Sequence, residues 1–201
     1  MTVEANIKPA NLGLAYATAG TLAVVVGPSG AGKDTLMNLA ARYFAGRPDV
    51  HFVRRVITRE GDAGNEDHKS VSDADFDAMQ RAGAFAISWE AHGLKYGIPA
   101  AVRDELALGH LVIANGSRSV LDRFQTAFPR LKVINVTARR EVLAERLMAR
   151  GRESREDVLK RLERSSLTVQ GSYDIADIDN SSTLEEAERA IISVLEALIG
   201  K

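Results

Sequence analysis

The apolar residues of this chain gather in runs of strand length: Thr21–Val26, Val50–Ile57, Phe85–Trp89, His110–Ala114, Lys132–Val136 and Tyr173–Ile178. The runs are rich in valine and isoleucine and do not alternate with polar residues. That pattern suits strands covered on both faces. Between the runs the spacing turns helical. Asp34–Phe44 sets Leu36, Leu39, Ala40 and Tyr43 on one face. Ser72-Asp-Ala-Asp75 reads as a capping box opening a helix that stops near Gly83. Arg139–Arg150 and Arg155–Val169 read as helical and densely charged. Ser182-Thr-Leu-Glu185 caps a last amphipathic helix carrying Leu184, Ala187, Ile191, Val194, Leu195 and Leu198. Strands alternating with helices predict an α/β fold, a parallel sheet core flanked by helices, with right-handed crossovers.

Composition narrows this picture without redirecting it. A chain of 201 residues, 45% hydrophobic and 26% charged, fits one soluble domain with a full core. The net charge of −1 gives no reason to expect nucleic acid or an anionic membrane as partner. The absence of cysteine excludes disulfides, thiolate metal sites and a cysteine nucleophile. Leu12–Val26 is short for a membrane span, and Glu4 before Lys8 makes a poor signal-peptide start. The reading is a cytoplasmic protein with a tail over residues 1–20 and one domain over 21–201.

The first strand ends on a glycine. Gly27, Pro28, Ser29, Gly30, Ala31, Gly32 and Lys33 follow as G-x-x-x-x-G-K, and then a helix begins. Strand, loop, lysine and helix in this order are the context of a Walker A loop, hence a P-loop NTPase fold. Its backbone N–H groups and the helix dipole would cradle the phosphates of ATP, with Lys33 on the β- and γ-phosphates. One position departs from the pattern. Where Ser or Thr should bind Mg²⁺ stands Asp34, followed by Thr35. Either Asp34 is the metal ligand, or Thr35 is and Asp34 favours the helix start by its charge. The strand His110–Ala114 ends in Asn115-Gly-Ser-Arg118, without a Walker B aspartate, so Asp34 is a candidate to supply that carboxylate.

Two further regions carry charge. Arginines crowd the stretch from Arg139 to Arg164, interleaved with acids that would form i,i+4 pairs. Its break at Met148-Ala-Arg150-Gly151 fits a lid over about 146–165. There Arg150 and Arg161, then Arg146 and Arg164, would stabilise the moving phosphoryl group. Over about 54–105, Arg59, His68 and Tyr96 would cradle an anionic acceptor.

The order P-loop, Thr58-Arg59, Val71-Ser72, Gly83-x-Phe85, Gly93-x-x-Tyr96-Gly97-x-Pro99, Arg150-Gly151 and Lys160-Arg161-Leu162 resembles guanylate kinase from residue 21 onward. By that resemblance Arg59 and Tyr96 match acceptor-phosphate groups, and His68 stands where that family has a second such tyrosine. Arg150 and Arg161 match lid arginines, and Asn180 falls near the adenine-contacting loop. Ile87 and Ile98, however, stand where guanylate kinase reads guanine with polar groups, and Asp62 replaces a second phosphate arginine. A closer resemblance is to the ribose 1,5-bisphosphate phosphokinase family. It rests on Gly27–Asp34, Val56-Ile-Thr-Arg59, Ser88-Trp-Glu-Ala-His-Gly-Leu-Lys-Tyr-Gly-Ile-Pro99 and Asn115-Gly-Ser-Arg118. It implies ATP- and Mg²⁺-dependent phosphorylation of ribose 1,5-bisphosphate to 5-phospho-α-D-ribose 1-diphosphate (PRPP), in phosphonate breakdown. Arg59, His68, Tyr96, Asn115, Ser117 and Arg118 would hold that sugar. A nucleoside monophosphate kinase of altered base choice and a non-catalytic binding module stay open as alternatives.

Overall fold

A computed structural model of the chain describes residues 19–59, 67–149, 169 and 171–200. Strand β1 (Thr21–Val26) is buried along its whole length. It pairs in parallel with β7 (Leu111–Asn115) on one side and β8 (Leu131–Thr137) on the other. Strands β2 (Val50–Phe52) and β9 (Asp174–Asp179) add the edges, giving a five-stranded parallel sheet ordered β2-β7-β1-β8-β9. Its unbroken apolar runs face two cores at once. Ala23 and Val25 join Leu36, Ile113, Ile134 and Ile191 on one side. Leu22, Val24 and Val26 join Val112, Ala114, Val133 and Phe124 on the other. The two-residue period of the pleat divides one hydrophobic segment between both faces.

The first core is closed by helices α1 (Lys33–Tyr43), α5 (Arg140–Ala149) and α6 (Leu184–Glu196). The second is closed partly by α4 (Leu121–Ala127) and partly by a second sheet. That sheet is ordered β4-β3-β6-β5, from β3 (Arg55–Ile57), β4 (His68–Ser70), β5 (Phe85–Ala91) and β6 (Leu94–Pro99). Helix α2 (Asp73–Arg81) lies between β4 and β5 in sequence, and α3 (Val102–Ala107) follows β6. No helix among the described residues is long and apolar enough to cross a membrane.

Three expectations are corrected. The run Val50–Ile57 is not one strand. Phe52 pairs with Ile113 in the first sheet, whereas Val56 pairs with Gly97 in the second. The chain changes sheets at Val53 and Arg54, where no glycine or proline announces the break. The sheets are not all parallel either: β6 runs antiparallel to both β3 and β5. The β5–β6 hairpin turns on His92 and Gly93, both at positive φ (54° and 72°), as a tight hairpin requires. Finally, the cap of α6 is Thr183, not Ser182. Its hydroxyl accepts the Glu186 N–H at 3.3 Å. At α2 the expected box is present, with Ser72 Oγ accepting from the Asp75 N–H at 3.1 Å. The second charged helix, Arg155–Val169, lies almost wholly outside the described residues.

Thr183→Ala is expected to cost about 1 kcal/mol in urea unfolding, the usual worth of an N-cap. Ser182→Ala should cost less, because its hydroxyl bonds the exposed Glu186 carboxylate.

Candidate phosphate-binding site

β1 ends at Val26 and the chain turns at once through the glycine-rich loop into α1. Two glycines are dictated by space. A Cβ on Gly27 would lie 2.1 Å from the Val136 carbonyl oxygen, and its φ is 145°. A Cβ on Gly32 would lie 2.4 Å from Asn180 Nδ2, and its φ is 91°. Gly32 is also the N-cap of α1, so the first amides of that helix point back toward the loop. Lys33 folds back across it, donating to the Gly27 carbonyl at 2.9 Å and the Pro28 carbonyl at 3.1 Å. A basic loop of this form is suited to a polyphosphate.

Asn180 closes the loop from outside. It follows β9, is almost fully buried, and donates Nδ2 to the Ala31 carbonyl at 2.8 Å. Its Oδ1 has no hydrogen-bond partner, and neither does the buried Nη1 of Arg146 on α5. Arg146 Nη1 would stand 3.9 Å from a Cβ on Gly32. Two buried polar groups therefore face the same loop with hydrogen-bonding capacity unspent, as a site for a polar ligand requires. Ser29 and Gly30 complete the turn, and Gly30 packs on Leu147.

Asp34 sits half-buried in the first turn of α1. Asn115, at the end of β7 and buried, donates Nδ2 to its Oδ1 at 2.9 Å. Since Asn115 is in register with Val25, the strand beside β1 delivers an amide to the position after the lysine. Thr35, one residue on, is exposed. Among the described residues no cluster of three histidines and carboxylates includes Asp34. One carboxylate beside bound phosphates and water is the usual provision for Mg²⁺, so the residues fit that ion.

Beyond Asn115, Ser117 caps a short 3₁₀ turn (Arg118–Val120), accepting from the Ser119 N–H at 3.4 Å. Arg118 is half-buried, and burial pulls its guanidinium below its usual pKa. The other acceptor candidates lie on or beside the second sheet. His68 is in β4, opposite Arg55. Arg59 follows Thr58, which holds β6 by accepting the Lys95 N–H at 2.9 Å. Tyr96 is buried and stacks on Trp89, with centroids 5.4 Å apart and planes 8° from parallel. The Arg55 guanidinium lies over both rings, 5.1 Å from the Tyr96 centroid and 5.7 Å from that of Trp89. Arg55 was not among the candidates. Its place beside Arg54 in sequence gives no sign that one is exposed and the other buried. Ile87 and Ile98 are direct cross-strand partners and both are buried. Arg150 and Arg161 lie outside the described residues.

No protein-family model matches the chain. Over 187 residues it is 64% identical to the ribose 1,5-bisphosphate phosphokinase PhnN of Rhizobium etli (strain CIAT 652), covering 93% of this chain and 95% of that protein. The chain belongs to the ribose 1,5-bisphosphate phosphokinase family. A second family member, from Agrobacterium fabrum (strain C58 / ATCC 33970), is 60% identical, over 88% of this chain and 97% of its own. In fold, this phosphokinase family member is similar to guanylate kinase from Anaplasma phagocytophilum. The TM-score is 0.66 over 91% of this chain and 88% of that one, at 20% identity.

Removing the Asn180 amide leaves the buried Ala31 carbonyl without its donor. Asn180→Ala is expected to lower stability by about 1–3 kcal/mol, read as a fall in the thermal unfolding midpoint without ligand.

Proposed function

We propose that the chain transfers the γ-phosphoryl group of ATP to the 1-phosphate of ribose 1,5-bisphosphate. The products are 5-phospho-α-D-ribose 1-diphosphate and ADP, a reaction that serves phosphonate breakdown. The observation that carries the choice of acceptor is the Ile87–Ile98 pair. These two side chains are buried against each other where a nucleotide kinase of this fold would need polar base readers. A floor without donors or acceptors cannot pair with a purine edge, and a polar edge left unpaired is strongly rejected. A base-free sugar carrying two phosphates asks only for cations and hydroxyl-reading groups. Arg59, His68, Tyr96 and Arg118 are the groups offered.

The donor end follows from the loop. Gly27–Lys33 and the start of α1 would bind the ATP phosphates, aided by Arg146, with Asn180 beside the base. Asp34, its Oδ1 held by Asn115, would present its other oxygen to Mg²⁺. The exposure of Thr35 favours Asp34 over it as ligand. Asn115 then serves the metal ligand and not the acceptor, and Ser117 serves chiefly as a cap. Magnesium, when bound, neutralises phosphate charge during transfer. A 1-phosphate oxygen forms the new bond to the γ-phosphorus while the bond to the β,γ-bridging oxygen breaks and ADP departs. The attacking oxygen is already anionic, so no general base is needed. What remains for the protein is alignment and charge stabilisation, which Lys33 and, by the resemblance to guanylate kinase, Arg150 and Arg161 would supply.

A coupled ADP-release assay should give turnover on ribose 1,5-bisphosphate and only background on GMP, AMP, CMP and UMP. Turnover confined to a nucleoside monophosphate would overturn the reading, and none on any acceptor would favour a binding module. In the same assay Asp34→Ala is expected to lose roughly 10²-fold or more in kcat and to need more magnesium. Thr35→Ala should stay near wild type; the reverse order would assign the metal to Thr35.

A further inference from the structure

A second cluster of ligating side chains stands at the other end of β7. His110 immediately precedes that strand, five residues before Asn115 and so about 16 Å away along it. His51 lies in the edge strand β2 and Glu105 in α3. Three separate elements bring three atoms together. His51 Nε2 is 3.0 Å from His110 Nδ1, His110 Nδ1 is 2.9 Å from Glu105 Oε2, and His51 Nε2 is 3.0 Å from the same oxygen. The two rings are stacked, 19° from parallel.

Protons alone do not account for this triangle. An imidazole nitrogen is either a donor or an acceptor, never both. If both nitrogens donate to Glu105, two N–H groups face one another at 3.0 Å. If one nitrogen is bare, its lone pair faces the carboxylate or competes for one shared proton. At most two of the three edges are hydrogen bonds in any tautomer. One cation above the triangle satisfies all three edges, since donors about 3 Å apart all reach an ion at about 2.0–2.1 Å.

We propose that His51, Glu105 and His110 form a site for a transition-metal dication, zinc in the first instance. Two imidazoles and a carboxylate suit Zn²⁺ and disfavour Mg²⁺, which prefers an all-oxygen shell. The side chains are 24–36% exposed, so solvent reaches a fourth position. The site would fasten the three-residue edge strand β2 to α3 and to the start of β7. It is separate from Asp34 and independent of the acceptor chosen above.

The test uses the full chain, stripped of metal with a chelator and dialysed. Calorimetric titration with zinc is expected to show one equivalent bound in the micromolar range or tighter, and zinc should raise the melting temperature. His51→Ala and His110→Ala should each weaken zinc binding about tenfold or more, while Asp34→Ala leaves it unchanged. Cobalt(II) in place of zinc should give the visible absorption of a tetrahedral nitrogen–oxygen site, absent from both histidine variants. Failure of the wild-type protein to bind zinc or cobalt would overturn the proposal without recourse to any variant. So would binding that persists equally in His51→Ala and His110→Ala.

Discussion

The burial of β1 on both faces is the constraint from which the site follows. A strand buried on both faces, with a parallel neighbour on each side, cannot shift its register without moving apolar side chains from one core into the other. Its carboxyl end is therefore fixed, and so is the point where Gly27 leaves the sheet. The neighbouring strands also reach that point, β7 ending opposite Val25 and β8 and β9 running past it. β7 delivers Asn115 to Asp34, β8 brings the Val136 carbonyl against Gly27, and β9 delivers Asn180 to the Ala31 carbonyl. The crevice at the carboxyl ends of a parallel sheet is where ligands bind in open α/β folds. Here each adjoining strand adds a polar group to that crevice.

The two halves of the proposed active site rest on different physics. The donor half is built from backbone geometry: a turn only glycine can make, amides at a helix start, and one carboxylate steadied by an amide. The acceptor half is built from side chains on a mixed sheet whose inner face is apolar. Ile57, Ile87, Trp89, Tyr96 and Ile98 there belong to the same core as β1 and β7. Packing thus joins the two halves through one hydrophobic body, with Arg55 laid on its aromatic surface as a cation held by ring faces.

The donor half was legible because it depends on order and spacing along the chain. Strand, Gly27, Lys33 and helix are contiguous, and the anomaly at Asp34 is visible as a departure from that order. The parallel sheet was legible for a similar reason: strands buried on both faces announce themselves as continuous runs. Of the second sheet, only β5 was, as the run Phe85–Trp89. Val50–Ile57 contains no breaker, since the division at Val53 and Arg54 is set by which strand each half finds as partner. Gly93–Pro99 reads as a loop motif because Gly97 and Pro99 are poor strand formers; only the hairpin at His92 and Gly93 makes it β6. Arg54 lies just outside the three-residue strand that begins at Arg55, and that strand is buried throughout, so no alternation along the sequence marks the difference. The pairing of Ile87 with Ile98 gives spatial meaning to two substitutions that the sequence shows only as separate positions.

Trp89 is the chain's single tryptophan. It stands parallel to Tyr96, its cross-strand partner, edge-on to Phe124, with the Arg55 guanidinium over its ring. Any shift of that guanidinium changes the local field on the indole, and any parting of the two rings changes its solvation. Excited to the red of tyrosine absorption, the unmodified protein thus carries one indole reporter, placed in the sheet where the acceptor would bind.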